Sequence, residues 1–276
     1  MGCRAPSAPA PTQTASVQIV SASDAATVTD VRIPCQSIGG HLWYRIIVPR
    51  SAAGEQLPVL YLLHGGFGNP VDIQAHTDAV KQAVAHRLIV VTPDVGQSWY
   101  TNARHRQNAR WEDAVAYDLV RDVESRFPAL KGREHRGLAG VSMSGYGAVK
   151  LALKHPELYG YAASMAGAFD VTRRWPNILN PAQSWNEWMI FGFRAGTRRN
   201  EDVFAILPQA KSLQSVRWFL SCGSEDHFAA DNRKLATLLH QRGAQVETFE
   251  APGKHDWGPW NKALPELFRT AEESLR

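Results

Sequence analysis

Two short runs constrain the fold of this chain more than anything else in it: PVLYLL (58–63) and RLIVVT (87–92) are continuously apolar instead of alternating. A strand that faces water on one side alternates, so unbroken runs belong to strands covered on both faces, as in a parallel sheet. Further strand-like runs follow at Leu138–Val141, Tyr161–Ala166, Arg217–Cys222 and Gln245–Glu250. Helical spacing fills the gaps. Val71–His86 has room for a crossover helix, and Val115, Leu119, Val120, Val123 and Phe127 share one helical face that Pro128 ends. Tyr146–Leu153, Asp231–Arg242 and Lys262–Leu275 complete the set. Strands alternating with helices predict a mostly parallel, doubly wound α/β sheet. Ahead of it, Val28–Ile33 and Leu42–Val48 flank the Gly39–Gly40 turn signal and predict an antiparallel pair.

Length and charge narrow the function classes. A chain of 276 residues, 44% hydrophobic, can bury one large core. Its 30 Lys and Arg against 26 Asp and Glu leave a net charge of only +4, scattered along the chain, which gives nucleic-acid binding no support. The cluster Arg194, Arg198, Arg199 reads as a solvated face. No stretch has the roughly 20 apolar residues that span a bilayer. Residues 1–16, rich in Ala, Pro, Ser and Thr, read as a disordered leader to a single catalytic domain over 17–276. Gly2–Cys3 has the form of a lipobox end, so Cys3 is a candidate membrane tether and the location expected is extracytoplasmic, in a bacterium. Cys35 and Cys222 are too far apart for a C-x-x-C metal site, and a buried thiol pair or a disulfide are both open. No metal or cofactor is expected.

The chemistry centres on GVSMSGYGA (140–148). Small residues at a strand-to-helix junction permit a sharp turn that thrusts a hydroxyl outward, so Ser142 is the candidate nucleophile. Ser144 stands where such turns usually carry a last glycine. A serine nucleophile needs a base, and the base an orienting acid. Taken in the order Ser, acid, His, His155 and His240 fall on helices, and His227 adjoins the best acid. His255, in the Gly- and Pro-rich loop PGKHDWGPW, is the base. Asp226, in CGSEDHF directly after a strand, is the preferred acid, with Glu225, Asp170 and Asp256 as rivals. An oxyanion needs backbone donors. Met143 N–H, at the helix start, is one; the glycine-rich HGGFG (64–68) offers Gly66 or Phe67 as the second.

Between residues 169 and 213 the strand–helix rhythm lapses. Trp175, Trp185, Trp188, Phe191 and Phe193 sit there among prolines, glycines and arginines. That segment is expected as an insertion over the carboxyl edge of the sheet, where α/β proteins bind ligands, or as an aromatic minicore of its own. With Trp99 and Tyr100, Trp185 and Trp188 are candidate substrate contacts, since such rings suit a sugar or aromatic group.

These residues carry a resemblance. LLHGGFGN (62–69), VTPDVGQSWYTN (91–102), AGVSMSGYGAVKLALKHPELY (139–159), CGSEDHFAADNRKL (222–235) and GKHDWGPW (253–260) match, in order, the α/β-hydrolase family that groups esterase D, S-formylglutathione hydrolases, antigen 85 mycolyltransferases, and acetyl xylan and feruloyl esterases. The resemblance covers the chain from about residue 28 onward. It implies an α/β-hydrolase fold and a serine carboxylesterase that cleaves short-acyl or carbohydrate-linked esters through an acyl-enzyme. Ser142, Asp226 and His255 would then be nucleophile, acid and base. It leaves open acyl transfer of the antigen 85 type and a carbohydrate-binding homologue without turnover. The cysteine of the long S-formylglutathione hydrolases is absent from HGGFGNP, which argues against that activity.

Overall fold

The computed structural model describes residues 14–174 and 179–276; Cys3, most of the expected leader and Trp175 lie outside them. Among the described residues nine strands form one sheet: β1 (Ser16–Ala22), β2 (Ala26–Cys35), β3 (Gly40–Pro49), β4 (Val59–Leu63), β5 (Ile89–Pro93), β6 (Arg136–Val141), β7 (Tyr161–Met165), β8 (Arg217–Gly223) and β9 (Gln245–Ala251). Their order is β1-β2-β3-β5-β4-β6-β7-β8-β9. β1, β2, β3 and β5 pair antiparallel in sequence, and the neighbours from β5 through β9 are all parallel. The expected antiparallel pair is β2 with β3. β1 was not among the expected strands; all seven of its residues are exposed, Val17 and Ile19 included, so it buries neither face.

The helices are α1 (Asp72–His76), α2 (Ala79–Ala85), α3 (Trp111–Asp113), α4 (Val120–Arg126), α5 (Met143–Lys154), α6 (Pro181–Phe191), α7 (Ala195–Arg198), α8 (Val203–Ile206), α9 (Ala229–Gln241) and α10 (Trp257–Leu275). A π-helical segment, Ala114–Leu119, joins α3 to α4. Along β4 the side chains divide by period two: Val59, Tyr61 and Leu63 enter one core with α4, α5 and α9, whereas Leu60 and Leu62 enter the other with α2 and α10. This two-sided burial explains the unbroken apolar runs. Cys35 and Cys222 fall in opposite cores, both buried and both free, so they are the buried thiols that the sequence allowed and no disulfide joins them. Burial pushes each thiol up to about 12.

The sheet's winding also places the site. β4 is hydrogen-bonded to β5 on one side and β6 on the other, so the chain leaves the ends of β4 and β6 in diverging directions. The crevice at such a switch point is where open α/β sheets take ligands. His64–Gly65 follows β4 there, and Ser142 follows β6. α6, α7 and α8 make up the expected insertion, with one correction on charge: Arg198 is buried, its guanidinium 5.8 Å from the Phe191 ring of the main core, so it is not part of a solvated face.

Candidate active site

Ser142 sits between β6 and α5 at φ +58° and ψ −116°, a conformation that costs an L-residue energy and is held by its surroundings. Those surroundings are tight. A Cβ on Gly140 would come within 2.5 Å of the Ser144 carbonyl carbon and oxygen, and one on Gly147 within 2.6 Å of the Tyr100 ring. Both positions need glycine for closeness of approach, not for a left-handed backbone. Ser144, the apparent departure from the motif, is fully buried. Its hydroxyl donates to Leu63 O at 2.8 Å and accepts from Val141 N–H at 2.8 Å, so it ties the turn back to β4 and β6.

The loops after β8 and β9 bring two further side chains to this serine. His255 Nε2 lies 2.9 Å from Ser142 Oγ, and His255 Nδ1 lies 2.7 Å from Asp226 Oδ2. The Asp226 side chain has no exposure, and its other oxygen accepts from Phe228 N–H at 2.8 Å. That second bond fixes the carboxylate plane toward the imidazole. The rivals for the acid are elsewhere. Glu225 is exposed, and Asp256 caps α10 by accepting from Gly258 N–H. Asp170 faces Arg174 at 3.9 Å, and its carboxyl is raised by burial, which outweighs that guanidinium. His227 stands 3.5 Å from Asp226, its side chain mostly in solvent.

Beside Ser142 runs the loop after β4. A Cβ on Gly66 would lie 3.8 Å from Met143 Cβ, so this backbone passes close to the start of α5. Met143, as the first helical residue, has no partner for its N–H within the helix. Phe67 adopts φ +59° and is 80% exposed at the rim. The loop's own anchor is His64. Its Nδ1–H donates to Gly65 O at 2.8 Å while Nε2 accepts from Val95 N–H at 3.2 Å, an arrangement open only to the neutral ring. Burial accordingly pushes its pKa below 6.5, against the Gly65 carbonyl and Asp94. Tyr100 adds a third tie, donating to His64 O at 2.8 Å.

A cavity of about 720 Å³ opens over Ser142, His255 and Gly66. Of the four candidate substrate contacts, Trp99 lines it, 7% exposed and packed by Arg174 and Phe191. The other three do not. Tyr100 is fully buried behind the loop it anchors. Trp185 and Trp188 turn away from the cavity and gather around Phe193, at 5.9 and 5.6 Å between ring centres, in an aromatic cluster on the surface of α6 with Trp185 and Phe193 exposed. α6 instead presents Gln183 and Asn186 to the cavity. The sequence reading missed Phe228, Trp257 and Trp260, which form the wall around His255; Trp260 meets the imidazole edge-on at 5.0 Å. Their signal was present in the motifs flanking Asp226 and His255. Asp226, His227 and His255 could also offer ligand atoms to a metal, although two of the three are already engaged as described.

Comparison with known proteins identifies the family. The model of the family described as "Putative esterase" matches residues 35–271. The chain belongs to that family. It is thus a carboxylic ester hydrolase. An acetyl esterase of Caldicellulosiruptor saccharolyticus is 26% identical over 226 residues, 79% of this chain and 85% of the relative. An esterase of Mycobacterium tuberculosis is also 26% identical, over 266 residues, but this esterase spans only 56% of its length. Among solved structures, FphF, a fluorophosphonate-binding serine hydrolase of Staphylococcus aureus, superposes with a TM-score of 0.79 at 23% identity, covering 90% of this chain and 99% of its own. That likeness shows the shared α/β-hydrolase fold.

Proposed function

We propose that Ser142, His255 and Asp226 work as nucleophile, base and acid in the hydrolysis of short-acyl carboxylic esters. The observation that carries this reading is the unbroken chain of contacts, 2.9 Å from Ser142 Oγ to His255 Nε2 and 2.7 Å from His255 Nδ1 to Asp226. Ser142 Oγ attacks the ester carbonyl as Nε2 takes its proton. Asp226 holds Nδ1–H, keeping the productive tautomer and stabilising the imidazolium that forms. The carbonyl oxygen, now anionic, accepts from Met143 N–H and from a second donor on the Gly66–Phe67 backbone. Collapse expels the alcohol with the proton from Nε2, and a water activated by the same nitrogen releases the acid. Short acyl groups fit the acetyl esterase relative and the aromatic wall around His255.

Replacement of Ser142 by Ala should abolish hydrolysis of p-nitrophenyl acetate with the melting temperature unchanged; retained turnover would refute the assignment. Asp226→Asn should lower kcat by about 10⁴, the loss seen when a serine triad loses its tautomer control. If Asp170→Asn gave that loss and Asp226→Asn none, the acid would be Asp170. Acyl transfer is the second reading, since Trp99, Trp257 and Trp260 around the serine restrict water. Ester product formed in excess sugar or alcohol would establish it.

A further inference from the structure

Gln97 and Asn186 form a sill with a cavity on each side. Asn186 Nδ2 donates to Gln97 O at 2.9 Å, and both residues line the space over Ser142 and also a second cleft of about 630 Å³. The second cleft has a different chemistry. Arg32 on β2 and Trp43 on β3 are direct cross-strand partners, so guanidinium and indole stand side by side on one face of the sheet. His41, two residues before Trp43, shares that face. Opposite them are Trp111 at the start of α3 and Arg106 in the preceding loop.

Two features mark this cleft as a site instead of an ordinary surface. Trp43 and Trp111 are each half-buried, leaving ring surface facing the same space. Arg32 and Arg106 are exposed and have no ion pair among the described residues, so both guanidinia are open to a ligand in this cleft. Against the two guanidinia stands one carboxylate, Asp94, which is engaged by Gly96 N–H at 3.1 Å. A guanidinium matches a carboxylate or phosphate with paired donors, and indole faces accept the C–H face of a ring.

We propose that this cleft is a binding subsite for an anionic sugar ring, one carrying a carboxylate or phosphate, at the end of the ester remote from the scissile bond. The link to the ester rests on the reading of Ser142 as nucleophile; binding in the cleft does not. A substrate whose carbonyl sits at Ser142 crosses the Gln97–Asn186 sill, and its charged end meets Arg32 and Arg106. The stacking planes expected from Trp185 and Trp188 are supplied by Trp43 and Trp111.

The test uses the Ser142→Ala protein, so that binding is read without turnover. Glucuronic acid, glucose 6-phosphate, glucose and inorganic phosphate are titrated, with saturation-transfer NMR as the readout. Glucuronic acid or glucose 6-phosphate should bind about tenfold more tightly than glucose, the factor of one charge-assisted hydrogen bond, and the stronger of the two identifies the anion. Arg32→Ala with Arg106→Ala should remove that preference, and Trp43→Leu should weaken the sugars but not inorganic phosphate. Equal binding of glucose, or a preference that survives the double arginine variant, would overturn the proposal. In the Ser142 protein the double variant should keep its p-nitrophenyl acetate turnover. Loss of all turnover in the unsubstituted enzyme would instead refute the esterase reading and leave the binding result standing.

Discussion

Lys150 is the residue whose replacement most sharply tests how the site is held. It lies on α5, fully buried, with Nζ 3.0 Å from Glu112, 3.1 Å from Glu201, and 2.7 Å from both Tyr100 O and Thr101 Oγ1. Lys154 and His155 complete the network around Glu112, at 2.9 and 3.0 Å. Consider Lys150→Met. At an effective dielectric of about 20, each contact near 3 Å is worth roughly 5 kcal/mol of gross attraction. Most of that is offset by the cost of burying the ammonium, so the gross figure cannot be the loss. What decides it is that Glu112 and Glu201 stay buried with one cation fewer, for which breaking a buried pair costs about 3–5 kcal/mol. For a domain of this size that lowers the melting temperature by about 10 °C.

The pH dependence supplies an independent check. Burial alone would raise the Glu112 carboxyl; Lys150, the His155 hydrogen bond and Lys154 outweigh it and hold the group well below the usual carboxylate range. A carboxylate depressed in the folded state contributes stability in full above its unfolded value near 4.5 and loses it as pH falls. Removing Lys150 shrinks the depression. The gap between wild type and variant should therefore be widest near neutrality and should narrow as pH drops below 4.5. Urea unfolding at pH 7 and pH 3.5 measures both quantities. A loss under about 1 kcal/mol at pH 7, or a gap that widens in acid, would refute the account. Turnover should fall as well, because the Lys150 bond to Tyr100 O holds the backbone at Trp99 and Tyr100, at φ +55° and +53°, that sends Trp99 into the cavity and Tyr100 under the His64 loop.

Ser144→Ala removes a hydroxyl that serves Leu63 O and Val141 N–H, so it should cost about 1–3 kcal/mol in chemical denaturation, and a neutral result would mean that the hydroxyl does not tie the turn to the sheet. His64 should titrate below 6.5 and remain protonated on Nδ1 at neutral pH, read from imidazole ¹⁵N shifts; a midpoint at or above 6.5 would contradict the double anchoring by Gly65 and Val95. Since a histidine depressed in the folded state binds fewer protons than the unfolded chain, its contribution to stability is complete above 6.5 and declines as pH falls through the folded value.

The parallel sheet was legible because strands buried on both faces must be apolar at successive positions, as β4 and β5 are. β1 was not read from the sequence: Val17 and Ile19 alternate with Gln18, but the run is short and adjoins the Ala-, Pro-, Ser- and Thr-rich stretch read as a leader. α10 starts at Trp257, ahead of the expected Lys262: Pro259 occupies its first turn, where no intrahelical donor is needed, and Asp256 caps the end. Sequence order and loop chemistry by themselves picked out Ser142, Asp226 and His255, which the folded chain brings within hydrogen-bond reach of one another.

What composition could not assign was direction. Trp99 and Tyr100 are adjacent and alike, but the backbone sends one ring into the cavity and the other under the His64 loop. On α6, Trp185 and Trp188 are three residues apart and share one face, whereas Asn186, adjacent to Trp185, points to another, and it is Asn186 that meets the cavity. The sequence names residues fit to hold an aromatic or charged ligand. Only the turn of a helix and the pairing of two strands, setting Arg32 against Trp43, decide which of them face the same space.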